Sequence, residues 1–307
     1  MLTTIFFSSM EIALKIFSND YNPIQMSLLR FVIGSLILLP LAIKGLKKRK
    51  VSLDKADFKF FALTGFICIV VSMSLFQIAI LYSPASTVAV LLSCNTVFVI
   101  IFAHVMLREM IYRHHLLSVV ISMIGIVVIA NPMNITRSFT GVILTLLAAV
   151  TFALYGVVGR TRSFRYGGIA FTCFSFIFGS LELLVLILLT HIPAIAVFLG
   201  NLGLNVLANI PIIPPLELNS LLGLAYVGIF VTGLGYTFYF RAMEETSAIT
   251  ASLVFYIKPV LAPILALLIL GEPISFSKAI GIVLILTGSF ISLIPSLMRQ
   301  KMLSKRS

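Results

Sequence analysis

Five charged side chains lie inside apolar runs of this sequence: Glu11, Lys15, Arg30, Glu182 and Lys258. In hydrocarbon each would cost about 3 kcal/mol or more at mid-helix if it faced lipid. Such residues turn toward a bundle interior, pair with one another, or hold a polar solute. Three are bases and two are acids, a net +1 that favours a solute carrying a carboxylate, such as an amino acid or organic acid. Lys258 is the leading candidate to hold that carboxylate, or a phosphate. It lies about midway along its run, directly precedes Pro259, and has Pro263 one turn later. A proline frees a backbone carbonyl, which is tolerated where a helix lines a cavity. The alternative for Lys258 is a structural ion pair with Glu182 or Glu11.

The other four divide similarly. Glu11 and Lys15 are spaced i, i+4 with the acid first, the favoured order for an intrahelical pair. Either they neutralise each other, or Lys15 snorkels to the outer surface, or Glu11 faces a central cavity as a substrate or proton site. Glu182 is central in its run and is the candidate for proton coupling. Arg30 reads as a structural partner near one membrane boundary. Tyr155, Tyr226, Tyr236, Tyr239 and Tyr256 lie within runs, where a tyrosine either walls a cavity or simply packs; of these, Tyr256 is taken as a substrate-site residue. His104 reads as a packed or interfacial side chain. Cys68, Cys94 and Cys173 are dispersed and form no CxxC, so neither a disulfide framework nor a metal site is expected. No nucleophile elbow, HExxH or phosphate-cradling loop is present, and no cofactor is expected.

The elements that carry these residues are membrane helices. The 307 residues are 60% hydrophobic and 10% charged, with mean hydropathy +1.15, whereas a soluble domain is about a quarter charged. Ten runs fall near 2–17, 24–43, 57–81, 85–106, 116–130, 140–159, 169–191, 219–240, 248–270 and 278–297. In lipid such a run must be helical to satisfy its own backbone. The first contains Glu11 and Lys15 and lacks a basic flank, so it reads as a spanning helix rather than a cleaved leader. The net charge of +12 does not indicate nucleic-acid binding, because the bases sit in short loops. Of the 22 Lys and Arg residues, three (Lys15, Arg30, Lys258) lie in runs and two (Arg137, Lys278) in one set of loops, leaving seventeen in the other set and the tail. That asymmetry places both termini in the cytoplasm.

A repeat organises the chain. Residues 62–132 slide onto 225–295 at a constant offset of 163: Gly65 meets Gly228, Ala85 meets Ala248, Glu109 meets Glu272, and Gly125 meets Gly288. Asn95 meets Lys258, so two polar mid-run residues are related by the repeat. Five helices per half is an odd number, so the second half enters the membrane inverted. The basic loop 44–55 and its uncharged-by-base counterpart 192–218 agree with that inversion. Segment 192–218 spaces Asn201, Asn205 and Asn209 four apart, either as an amphipathic helix in the outer interface or as a loop. Glu109 and Glu272 each end a helix and are expected to cap the span that follows.

Leu107-Arg108-Glu109 followed by Gly125, and Leu270-Gly271-Glu272-Pro273 followed by Gly281 and Gly288, resemble the end of an EamA domain. Ser8-Ser9-Met10-Glu11-Ile12-Ala13-Leu14-Lys15 and Leu29-Arg30-Phe31-Val32-Ile33-Gly34 resemble its first two helices. The likeness covers nearly the whole chain as two EamA domains of the drug/metabolite transporter superfamily. It implies a ten-helix transporter of small metabolites, often an exporter of amino acids or related compounds, working by alternating access. One departure is the tryptophan-glycine pair common in the family's first helix; Phe7 and Ser8 stand there, and the chain has no Trp.

The expected fold is thus an all-α polytopic membrane protein of ten transmembrane helices in two five-helix inverted-topology repeats, residues 1–131 and 140–297, with a basic cytoplasmic tail at 298–307. The expected function is transport of a small, carboxylate-bearing solute across a bacterial cytoplasmic membrane. The expected substrate site is Glu11, Asn95, Glu182, Tyr256 and Lys258. The expected partners are that solute and the lipid bilayer, not nucleic acid, and a monomer is compatible with this plan. The competing readings are a polytopic membrane enzyme and a non-transporting scaffold. The first would need a nucleophile, metal set or acid pair at one depth, and the second larger loops.

Overall fold

Turn chemistry at the ends of the apolar runs decides where the helices begin. Asn22 starts one with a capping box: its side-chain oxygen accepts from the Ile24 and Gln25 amides, and the Gln25 side chain accepts from the Asn22 N–H. Asp54 starts the next in the same reciprocal way with Asp57. Pro23 occupies the first helical position, where its missing N–H costs nothing. The intervening stop is Lys50, held in the left-handed region at φ 54°.

The computed structural model describes residues 2–130, 137–246, 248, 251, 253–255 and 258–304. Among them there is no strand. The helices are α1 (Leu2–Ile16), α2 (Pro23–Arg49), α3 (Lys55–Tyr82), α4 (Ala85–Leu107), α5 (Arg113–Ala130), α6 (Arg137–Tyr166), α7 (Gly168–Leu189), α8 (Pro193–Asn201), α9 (Leu218–Glu245), α10 (Lys258–Leu270) and α11 (Phe276–Ser304). Six of them (α2, α3, α4, α6, α7 and α9) are long and apolar enough to cross a membrane, and α5, α10 and α11 contain shorter apolar stretches. The surface follows suit: Val105 is 71% exposed and Leu268 75%, while Glu11, Arg30 and Lys258 are each 0% exposed. A fold with apolar side chains outside and charges inside uses lipid as its solvent.

Several boundaries differ from the sequence expectation. α2 and α6 run past the apolar stretches, through Arg49 and Tyr166, because Lys and Arg are good helix formers and stabilise the negative end of the helix dipole. The basic connection 44–55 therefore shrinks to a few residues. α11 likewise continues to Ser304, so most of the expected tail is helix. α4 is not continuous: its parts Ala85–Ser93 and Asn95–Leu107 meet at a turn at Cys94. Of the expected span 248–270, the described residues include a 3-10 turn at Leu253–Phe255 and the helix Lys258–Leu270. In 192–218 the helix is Pro193–Asn201, ending before Gly203 (φ 73°). Asn205 falls in a 3-10 turn and Asn209 in the left-handed region, so the three asparagines do not share one helical face.

α3 and α9 each contain a π-helical stretch, Phe66–Met73 and Val227–Gly235. Such widened turns often mark functional sites. α2 packs against α7 and α9, α3 against α7, α1 against α9 and α10, α4 against α6 and α10, and α5 against α11. One close crossing is glycine on glycine. A Cβ added to Gly65 would lie 2.4 Å from the Ser175 carbonyl oxygen and 2.5 Å from the Gly179 nitrogen. Small residues at such crossings allow the van der Waals contact that holds helices together in lipid.

Candidate functional site

A buried ion pair lies at the centre of the candidate site. Lys258 opens α10 and places its ammonium 2.5 Å from Glu11 Oε1 of α1, with both side chains fully buried. Of the alternatives open from sequence, the partner of Lys258 is therefore Glu11 and not Glu182. The expected Glu11–Lys15 pair does not form, because Lys15 instead donates to the Ile80 carbonyl at 2.7 Å. Local spacing favoured Lys15, but α10 brings a charge that can be taken wholly out of water with Glu11.

Aromatic rings surround the pair. Phe255 lies 5.8 Å from the Lys258 ammonium and stacks on Phe7 at 5.5 Å. Phe7 meets Tyr236 edge-on at 5.2 Å, and Phe152 meets Tyr236, Tyr239 and Phe255 at 5.8 to 6.0 Å. The Tyr236 hydroxyl contacts Met73 Sδ at 3.2 Å. Tyr155, Tyr236 and Tyr239 are buried, and the Tyr155 hydroxyl has no partner among the described residues. Tyr226 is bonded to Ser9 at 2.6 Å. Tyr256 lies outside the described residues.

Asn95 is fully buried at the first residue after the α4 break, and neither its oxygen nor its nitrogen has a partner among the described residues. Unsatisfied buried amides are rare and call for an explanation. Glu182 is only partly buried on α7, beside lipid-facing Leu181 (54% exposed), and forms no ion pair among the described residues. The structure thus joins Glu11 to Lys258 and leaves Glu182 apart from that pair.

Arg30 differs most from expectation. It is 0% exposed, and its one hydrogen-bond contact among the described residues is a 3.4 Å approach of Nη1 to Met10 Sδ. Nε and Nη2 have no partner among the described residues. Sequence reasoning marked Arg30 as charged within a run but expected an ion pair. The rings at Phe7, Phe152 and Phe255 gave no sequence signal apart from abundant Phe.

Two carboxylates lie away from this centre. Glu272 accepts from the Ala85 and Ser86 amides at 2.7 and 3.0 Å and from the Ser86 hydroxyl at 2.7 Å. Glu109 accepts from the Ala248 amide at 3.3 Å and lies 3.8 Å from Arg160. Capping was expected, but of the next helix in sequence; each acid instead reaches into the other half of the chain. His104 bonds through Nδ1 with the Glu109 carbonyl and is exposed. The three cysteines are buried and unbridged, and no metal-ligand cluster occurs among the described residues.

The EamA-like transporter family model matches residues 1–131 and 139–294. A Clostridium kluyveri protein named as an uncharacterized transporter is 41% identical over 300 residues, covering 95% of this chain and 91% of its own. A probable terminal-alkyne amino-acid exporter from Streptantibioticus cattleyicolor is 23% identical, covering 89% and 84%. A solved crystal structure, 17% identical, superposes over 95% of this chain and 94% of its own with a TM-score of 0.66, a likeness of fold alone.

Proposed function

The chain belongs to the EamA-like transporter family of membrane proteins, and on that premise we propose that it moves a small, carboxylate-bearing metabolite across the bacterial cytoplasmic membrane by alternating access, in the direction of export. The observation that carries this reading is the fully buried Glu11–Lys258 pair beside an aromatic cage. Isolated charges at such depth are costly, and in membrane proteins they mark substrate or ion pathways. The amino-acid exporter among the relatives agrees with the solute class.

Alternating access needs two halves that can rock against each other. We read the chain as ten spans in two inverted five-helix repeats, with both termini cytoplasmic. Three sets of contacts support this. Glu109 caps the residue that matches the one capped by Glu272 at the 163-residue offset. Gly65 lies against Gly179, as Gly34 lies against Gly228. Met73 and Tyr236, which are 163 residues apart, touch each other, as residues on a twofold axis do. Asn95 is the first residue after the α4 break, and its match at the same offset is Lys258, the first residue of α10. Broken helices with polar residues at the break build midplane sites in other transporters. Glu182 is the acid available for a coupled proton.

The test is thermal unfolding of the purified protein in detergent against amino acids, organic acids and phosphorylated metabolites, with Lys258→Ala alongside. A carboxylate that raises the melting temperature of the wild type and not of Lys258→Ala supports the site. A carboxylate that stabilises both equally removes Lys258 from it.

A further inference from the structure

Arg30 lacks the direct ion-pair contact that joins the other two buried charges at the centre. Lys258 lies 2.5 Å from Glu11, whereas the one hydrogen-bond contact of Arg30 among the described residues is to the thioether of Met10 at 3.4 Å. A guanidinium offers five N–H donors in a planar fork and cannot shed its proton. Leaving it buried without an ion-pair partner is among the costliest arrangements a fold can hold. With Glu11, Lys258 and Arg30 counted together, the centre holds a net charge of +1. One monovalent anion would neutralise it.

The surroundings place Arg30 beside the proposed substrate site rather than at a remote support point. Met10 directly precedes Glu11 in α1. Phe31, the next residue in α2, packs edge-on against Tyr236 at 6.0 Å, and Tyr236 meets Phe7, which stacks on Phe255 below Lys258. The Arg30 guanidinium lies 4.6 Å from the Phe31 ring. Ring by ring, the unpaired cation and the Glu11–Lys258 ion pair therefore belong to one constellation.

We propose that Arg30 is the anion receptor of this site: its unpartnered Nε and Nη2 take the carboxylate of the transported solute, while the charge of Lys258 serves Glu11. This rests on the transport reading above. It differs in assigning the carboxylate to Arg30, through the paired N–H···O geometry that a guanidinium makes and an ammonium cannot. A solute lacking the anionic group leaves Arg30 uncompensated and is rejected.

The experiment uses the full chain in detergent and measures ligand-induced stabilisation for matched probes: amino acids and short organic acids, their primary amides, and inorganic phosphate and chloride. Arg30→Met and Arg30→Lys are compared with Arg241→Met, which removes an exposed charge paired with Glu245. The expected result is a carboxylate that stabilises wild type and Arg241→Met, with its amide inactive. Apparent affinity should fall at least about tenfold in Arg30→Lys and further in Arg30→Met. Without ligand, Arg30→Met should melt no lower than wild type, since it removes a buried charge that no ion pair among the described residues holds; this arm tests the proposal even with no hit in the panel. Equal binding of acid and amide, undiminished carboxylate binding in Arg30→Met, or a clear drop in the ligand-free melting temperature of Arg30→Met would each overturn it. Stabilisation by phosphate or chloride alone would assign Arg30 to an inorganic anion and overturn the solute assignment. A neutral or cationic solute that stabilises wild type and Arg30→Met alike would sink the Arg30 proposal and leave the transport reading standing.

Discussion

At the scale of the residue, the Glu11–Lys258 pair makes an asymmetric prediction. Removing one partner leaves the other buried and uncompensated, a loss of about 3 to 5 kcal/mol, whereas replacing both with apolar groups of similar volume costs far less. Glu11→Gln and Lys258→Met should each lower the melting temperature of the detergent-solubilised protein, and the double variant should recover most of the loss. If the two single losses simply add, the pair is not coupled as the 2.5 Å contact requires. The charged residues themselves were legible in the sequence, since any acid or base in an apolar run must be handled by the fold. Their partners were legible only as alternatives: Glu11 was named beside Glu182 for Lys258, while spacing along one helix pointed Glu11 to Lys15, and only the α1–α10 packing decides between them. Arg30 escaped for the opposite reason: sequence logic assumes that a buried charge finds a partner, and this one has none among the described residues.

At the scale of the element, the two crossing caps and the glycine crossings carry the predictions. Glu272 anchors the α4 N-terminus through two backbone amides and a hydroxyl. Glu272→Ala should lose about 1 to 2 kcal/mol, as for other helix caps, read as a lower melting temperature and faster amide exchange at Ala85 and Ser86. Unchanged exchange there would mean that the cap holds nothing. Gly65→Ala should cost more, at least about 1 to 3 kcal/mol, because its Cβ would lie 2.4 Å from backbone that cannot swing aside. An unaltered melting temperature would show that α3 and α7 do not cross so closely. The fixed offset singled out Gly65 and both glutamates from sequence, because matching glycines and acids stand out in apolar runs. The reach of each acid into the other half stayed hidden, since a cap was assigned to the nearest following helix. The break at Cys94 was hidden too, because it does not follow from apolar periodicity.

At the scale of the whole molecule, the proposed inversion and orientation make a labelling prediction. The three native cysteines are buried, so reactivity with a membrane-impermeant maleimide should report introduced cysteines. Lys48→Cys should label only after the membrane is opened, and Leu216→Cys, at a position 82% exposed in the segment between α8 and α9, should label in intact cells. The reverse pattern would invert the orientation drawn from the distribution of Lys and Arg. We propose that a carboxylate crosses the membrane through the site at Glu11 and Lys258, and exchange of a labelled carboxylate across proteoliposomes loaded with the same compound is the decisive assay. Wild type should show saturable exchange, Lys258→Met little exchange at equal protein content, and the matching primary amide none. Wild-type exchange that persists in Lys258→Met, or a full panel of carboxylates without exchange by folded wild type, would contradict that proposal.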